Sequence, residues 1–346
     1  NNGDGTFADI TARAGIGGAR WTTGCAIADL NADGLPDILE VNYLQGGNVH
    51  SRKCNHGERS RVCSPTYFDG QHDRLWINLG DGRFSDQSEQ LGVCDNAPGK
   101  GMGLVVGDLL GHGSNAIFIA NDMTANFLLV PNNERDHWRF VDQGVTAGVA
   151  FDRNGDALAG MGIATGDLNN DGTLDIFVTN FHRESNSLYF QQSSGSFSDL
   201  SRQAGMSEMS YDLLGFGAQC VDTELDGSSN LVIANGHLDD FRFNGVPFGM
   251  KPQFLQNLGE QEFQAVAPSG LGPYFDSEVL GRAMAKIDWN CDGREDLLVA
   301  HLDRPLALLE NQTPDTGHYL IVRLRGTTGG RDAVGATVVA ECGEER

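Results

Sequence analysis

Long hydrophobic runs are missing from this sequence. No apolar stretch approaches the ~18 residues that a spanning helix needs, so no membrane span is expected. Positive charge is scarce too: 24 Lys and Arg stand against 47 Asp and Glu, a formal charge of −23. Nucleic acid is therefore excluded as the natural partner, because phosphates demand a basic face. The seven cysteines contain no CxxC, no CxxCH and no Cys/His zinc spacing. There is likewise no GxSxG, HExxH, P-loop or Rossmann fingerprint, and so no familiar catalytic signature; the expectation is a protein that is not an enzyme. The sequence opens on Asn1 without an initiator Met or a leader-like segment, so a mature or trimmed product is expected.

What is present begins with size. A chain of 346 residues, 40% hydrophobic, can bury a large core as one big domain or two ordinary ones. Its excess negative charge repels itself, and bound cations are one way to compensate. Cys54 and Cys63 bracket the polar segment "CNHGERSRVC", which has little core of its own. A disulfide there is expected, against the alternative of two unrelated thiols. Cys25, Cys94, Cys220, Cys291 and Cys342 have no evident partners.

Glycine is abundant, with 46 residues, and points to internal repeats. The stretch "DLNADGLPD" from Asp29 returns as "DLNNDGTLD" from Asp167 and "DWNCDGRED" from Asp288, with weaker copies "DLLGHGSNA" from Asp108 and "DTELDGSSN" from Asp222. Their leading aspartates are 79, 59, 55 and 66 residues apart. Before each loop runs a Gly-marked apolar segment such as "GMGIATG", and after each an apolar run such as "IFVTNF". Two further apolar runs joined by a polar turn follow, as in "LWINLGDGRF", and read as a β-hairpin.

Each unit thus holds four short strands, and radial repetition of such units is the pattern of an all-β propeller. About five four-stranded blades are expected over residues 1–312; a solenoid or a string of hairpins is the alternative. "NNGDGTFADIT" at the start has the form of a blade's turn and last strand. Pairing of Asn1–Thr11 with Leu306–Asn311 would close the ring, unless other blades precede Asn1.

These D-x-[DN]-x-D-G-x-x-D loops, with "NLGDGRF"-type turns, resemble FG-GAP/VCBS repeats, known from integrin alpha-chain propellers. The tail, "HYLIVRLRGTTGGRDAVGATVVAECG", is similar to the start of an ASPIC/UnbV segment. Together they resemble the cartilage acidic protein family. The resemblance implies a secreted or cell-surface calcium-binding propeller, with residues 313–346 starting a short, incomplete C-terminal β extension.

Calcium takes six to eight hard oxygens, and a nine-residue loop with oxygens at one, three, five and nine can wrap it, with a backbone carbonyl at seven. The first site then uses Asp29, Asn31, Asp33, the Leu35 carbonyl and Asp37. The third uses Asp167, Asn169, Asp171, the Thr173 carbonyl and Asp175; the fifth uses Asp288, Asn290, Asp292, the Arg294 carbonyl and Asp296. A fourth is possible with Asp222, Glu224, Asp226 and Asn230. In the second loop Leu110, His112 and Ala116 occupy ligand positions, so no ion is expected there. An EF-hand is excluded, because Val178 and Val299 stand where its bidentate Glu belongs and the flanks are strand-like. Acidic turns without metal are the alternative.

Three histidines, His182, His237 and His301, follow the post-loop strands of successive blades, either converging on a transition metal or serving as hydrogen-bonded loop residues. Asn42, Asn121, Asn180 and Asn235 recur at the same strand end as turn-formers. An insertion from Gln45 to Arg74 carries Arg52, Lys53, Arg59 and Arg61, the only locally basic patch, and reads either as a loop over one face or as a docking loop. Asn311-Gln312-Thr313 is a glycosylation sequon with meaning only in a eukaryotic secretory setting. The expected function is an extracellular or cell-surface module, periplasmic in a bacterium, that binds a protein or a glycan without catalysis. A structural subunit of an extracellular assembly or filament, or a propeller polysaccharide lyase or hydrolase, are the alternatives.

Overall fold

The computed structural model describes residues 1–134, 137–192, 195–327, 333, 336 and 338–340. Five antiparallel sheets follow one another along the chain, each with its strands in sequence order. Blade 1 comprises Thr22–Ala28, Asp37–Asn42, Arg74–Asn78 and Phe84–Asp86; blade 2 comprises Gly101–Gly107, Ala116–Asn121, Phe127–Glu134 and His137–Asp142. Blade 3 comprises Ile163–Gly166, Asp175–Val178, Ser187–Gln191 and Phe197–Asp199; blade 4 comprises Gly215–Val221, Asn230–Asn235, Gln253–Gly259 and Glu262–Ala265. Blade 5 has Gly281–Ile287, Asp296–His301 and Ala307–Leu309. The first strands of successive blades pack on one another, which places them at the centre of a propeller.

The continuous apolar runs of the second strands have a simple cause. Side chains alternate across a strand, and here both faces are buried, each against a different neighbour. In blade 2, Ile117 and Ile119 join the seam with blade 1, while Ala116, Phe118 and Ala120 join the seam with blade 3. In blade 4, Leu231 and Ile233 face blade 3, and Val232 and Ala234 face blade 5. The core is thus a series of seams between blades.

Ring closure as expected from the sequence is not formed. Asn1–Ile10 contains no strand, Phe7 is 79% exposed, and Ala307–Leu309 is the outer strand of its sheet. The segment's hydrogen bonds are short-range, such as Asn2 N–H to the Thr6 carbonyl and Thr6 N–H to Asp4, and among the described residues no hydrogen bond ties it to blade 5. Residues 313–327 also form no strand; instead Gly317 N–H donates to the Glu224 carbonyl, and the Tyr319 ring lies against Gly293. Most of "GGRDAVGATV", and Cys342, lie outside the described residues.

Candidate functional site

The acidic loops join the first and second strands of every blade, on one rim. Their backbone follows from two residues per loop. Position four is left-handed at Ala32, Asn170, Leu225 and Cys291, with φ between 54° and 60°, and position six is a glycine at φ 84–88° in Gly34, Gly172, Gly227 and Gly293. The leading aspartate fixes this curl by accepting two backbone N–H groups. Asp29 takes those of Asp33 and Gly34 at 3.1 and 2.9 Å, and Asp167 those of Asp171 and Gly172 at 3.1 and 2.8 Å. Asp288 and Asp222 repeat the arrangement, and so does Asp108, whose loop was expected to hold no ion.

Position nine points inward. Asp37, Asp175 and Asp296 are buried, and each accepts one N–H within its loop and one at or just past the end of the third strand, as Asp37 does with Leu30 and Asn78. Burial, with the like charges of positions five and one, pushes the Asp175 carboxyl up to about 6 and raises that of Asp37. Among the described residues no group of three or more His, Cys, Asp or Glu is close enough to hold a metal. The donor chemistry nevertheless fits calcium: carboxylates, an amide oxygen and a carbonyl are its hard ligands. The loops are not equivalent. In loop five the Arg294 guanidinium pairs with Asp292 at 2.5 Å, and in loop four the Asn230 amide oxygen accepts the Asn257 N–H while its NH₂ donates to Glu224. Loops one and three pair their acids with no basic side chain among the described residues; position five accepts the Asn31 and Asn169 amides and the N–H of position seven.

The opposite ends of the second strands carry the buried asparagines Asn42, Asn121, Asn180 and Asn235, whose amides bond backbone carbonyls, as Asn121 does with Ala125 at 2.7 Å. At this end the insertion leaves blade 1. Cys54 and Cys63 are bridged, across the short hairpin Cys54–His56 and Arg59–Arg61. The hairpin reaches blade 4: Val62 N–H donates to both Asp239 oxygens at 3.0 and 3.2 Å, and the Arg59 guanidinium stands 4.2 Å from the centre of the Phe243 ring. The root is fixed by Lys100 Nζ donating to the Pro65 carbonyl at 2.8 Å. Arg52 covers Tyr67 at 4.4 Å; Arg52, Lys53 and Arg59 are exposed.

Behind the landing point lie two of the three histidines. His182 and His237 have ring centroids 5.8 Å apart, with Phe181 and Phe241 against His237. His237 Nδ1 accepts the Asp239 N–H, whereas His182 Nδ1 faces the Asp212 carbonyl and its Nε2 is buried without a partner among the described residues. Arg282 stacks over Phe216 and donates to the carbonyls of Gly236 and His237. His301 is elsewhere, bonded to the Tyr274 hydroxyl at 2.8 Å and the Pro305 carbonyl, so the three histidines do not converge. Sequence reasoning missed Asp239, Phe243 and Arg282. The signal was the extra length of "GHLDDFRFNGVPFGM" after the blade 4 strand, a second insertion on the same face.

A β-propeller with one aspartate-capped loop per blade, acidic in four of the five, is therefore defined by fold and site. An FG-GAP-like repeat matches residues 1–40, from the opening turn through the first acidic loop. No curated protein matches the chain. Among solved structures it is similar to an Agrocybe aegerita protein described as recognising non-reducing terminal N-acetylglucosamine, at 17% identity over 90% of this chain and 73% of that one, with TM-score 0.45. It is also similar to the Dos1 propeller, at 10% identity over 85% and 60% with TM-score 0.40, and to the exotype rhamnogalacturonan lyase YesX, at 13% over 83% and 61% with TM-score 0.30. At these scores the likenesses say nothing about what this chain binds.

Proposed function

We propose that this chain is an extracellular, calcium-binding propeller that binds an acidic protein or glycan and does no chemistry on it. The observation that carries the reading is the basic hairpin, closed by Cys54–Cys63 and held across one face against blade 4 while the rest of the chain is acidic. A rigid scaffold presenting an exposed, cross-linked loop is a common form of binding site. The bridge suits an oxidising compartment. The tail's likeness to ASPIC/UnbV segments favours kinship with the cartilage acidic protein group.

Calcium would be held by Asp29, Asn31, Asp33 and Asp37 and by Asp167, Asn169, Asp171 and Asp175, with weaker claims for the other two loops. When bound it supplies positive charge beside the buried position-nine carboxylates. The test is capture of the chain by immobilised sulfated glycan and by acidic protein, each with millimolar calcium and with chelator. Arg52→Ala with Lys53→Ala should weaken capture at least severalfold at low salt. Equal capture by the altered and unaltered chains on every acidic support would overturn the reading.

A further inference from the structure

The loop between the second and third strands of blade 3 borders a pocket of about 370 Å³ that is also lined by Arg153, Arg183 and Arg202. All three arginines are exposed, and among the described residues none of their guanidiniums is engaged in an ion pair, hydrogen bond or aromatic contact. Partners are not scarce, since the chain holds 47 acidic residues, and Arg83, Arg139, Arg242 and Arg294 are each paired with one. Three unpaired guanidiniums around one hollow therefore call for a ligand.

The backbone sets each arginine in place. Arg183 is left-handed at φ 69°, which a long side chain rarely adopts, and its N–H donates to the Tyr211 carbonyl at 2.7 Å. Asn180 secures the same loop by donating to the Ser185 carbonyl at 2.7 Å. Backbone strain of this kind persists only where the surroundings impose it, and it clusters at ligand sites. The Arg153 N–H donates to Asp199 at 2.8 Å, beside the end of the fourth strand, and Arg202 follows that strand directly.

The same pocket is lined by three acids, each fixed by the wall. Asp152 accepts the N–H groups of Asn154 and Asp156, both at 2.8 Å. Asp199 accepts those of Arg153 and Ser201, and Glu184 accepts that of Ala159 at 2.8 Å. A carboxylate has about four acceptor sites, so each keeps room for further donors. Three negative and three positive groups nearly cancel, and a bare anion gains little among them. A ligand that offers hydroxyls to the acids and one anionic group to the arginines uses both sets. Tyr211, 49% exposed, adds a ring face for the ligand's C–H groups.

We propose that the blade 3 pocket binds an acidic sugar, a carboxylated or sulfated unit of a glycan, with its anionic group on the arginines and its hydroxyls on the carboxylates. Guanidiniums take carboxylate and sulfate oxygens in paired N–H···O bonds, and the pocket's volume lies in the range of small-ligand sites. The pocket and the Cys54–Cys63 hairpin both lie on connections between second and third strands, and so share a face. A glycan lying across that face meets both, while the acidic loops line the opposite rim. This site rests on the binding function proposed above, and it names the glycan rather than the protein as partner.

The test titrates the full chain with methyl glucuronide, sulfated methyl glucoside, plain methyl glucoside and inorganic sulfate, read by calorimetry and NMR saturation transfer. At least one acidic sugar should bind about tenfold more tightly than the plain glucoside and than bare sulfate. Arg183→Asn with Arg202→Gln should abolish that preference and leave the melting temperature unchanged, since asparagine tolerates left-handed backbone. Arg52→Ala with Lys53→Ala should leave the preference intact. Equal binding of acidic and plain sugar, equal binding of bare sulfate, or an unchanged preference in the arginine variant would overturn the proposal. If neither acidic sugar binds while capture on acidic supports still needs Arg52 and Lys53, the pocket falls and the hairpin stands. Sugar binding with capture indifferent to the hairpin upholds the pocket and removes the hairpin.

Discussion

Asp171 accepts the Thr173 N–H and hydroxyl on one oxygen and the Asn169 amide N–H on the other, so its carboxylate is positioned before any ion arrives. Asp171→Ala should remove one bound calcium in titration calorimetry and part of the calcium-induced rise in melting temperature. In chelator the same change loses only local hydrogen bonds, about 0.5–1.5 kcal/mol each. Asp108→Ala, which removes the leading aspartate's two N–H bonds from a loop lacking ligands, should lower stability by a similar amount and leave stoichiometry unchanged. His237 makes a pH prediction. Burial and then the neighbouring His182 hold its imidazole below the usual 6.5, so the folded chain prefers it neutral. Below pH ~6.5 the unfolded chain binds a proton that the folded chain refuses, and stability falls as the pH is lowered through that window. Arg282 opposes the protonated form as well, while Asp239 favours it. The slope of denaturant midpoint against pH between about 6.5 and 5 should flatten in His237→Gln; an unchanged slope would refute the assignment. The curl of the acidic loops around their leading aspartates was readable from spacing alone. The pairing of His182 with His237 but not with His301 was not, because offsets of one or two residues decide which ring turns inward.

At the scale of elements, the second strand of blade 2 bridges two seams, so one strand supports two cores. Phe118 is fully buried, and Phe118→Ala should cost about 3–5 kcal/mol by chemical denaturation. The hairpin behaves differently, since it lies on the outside and has few apolar contacts. Replacing Cys54 and Cys63 by Ser should speed tryptic cleavage at Arg59 and Arg61 severalfold and shift the global transition little. A large global shift would mean that the bridge supports the blades. The strands and the disulfide were legible because hydrophobic period and cysteine spacing are local signals. The landing of Val62 on Asp239 was not, because the two residues are 177 positions apart and nothing between them records the approach.

For the whole molecule, a net charge of −23 is the background against which any bound cation acts. Binding to the folded state alone stabilises by about 2.7 kcal/mol per site at a hundredfold excess over Kd. Chelation should therefore lower the melting temperature in scanning calorimetry, and identical transitions in chelator and in millimolar calcium would leave the loops as acidic turns. The blade count followed from the repeat, whereas the expected pairing of Asn1–Thr11 with Leu306–Asn311 is not formed, since a strand-like sequence does not specify which edge it joins.

Loop two has a consequence for how such a chain changes over time. It lacks oxygen-bearing side chains at positions three, five and nine, yet Asp108 still folds it by accepting the His112 and Gly113 N–H groups. The shape of the loop is therefore independent of the oxygens that would hold an ion. A copy of the repeat can shed its ligands one substitution at a time, passing through intermediates that fold, and each blade is free to drift toward a plain turn or to regain a site while its neighbours stay as they were.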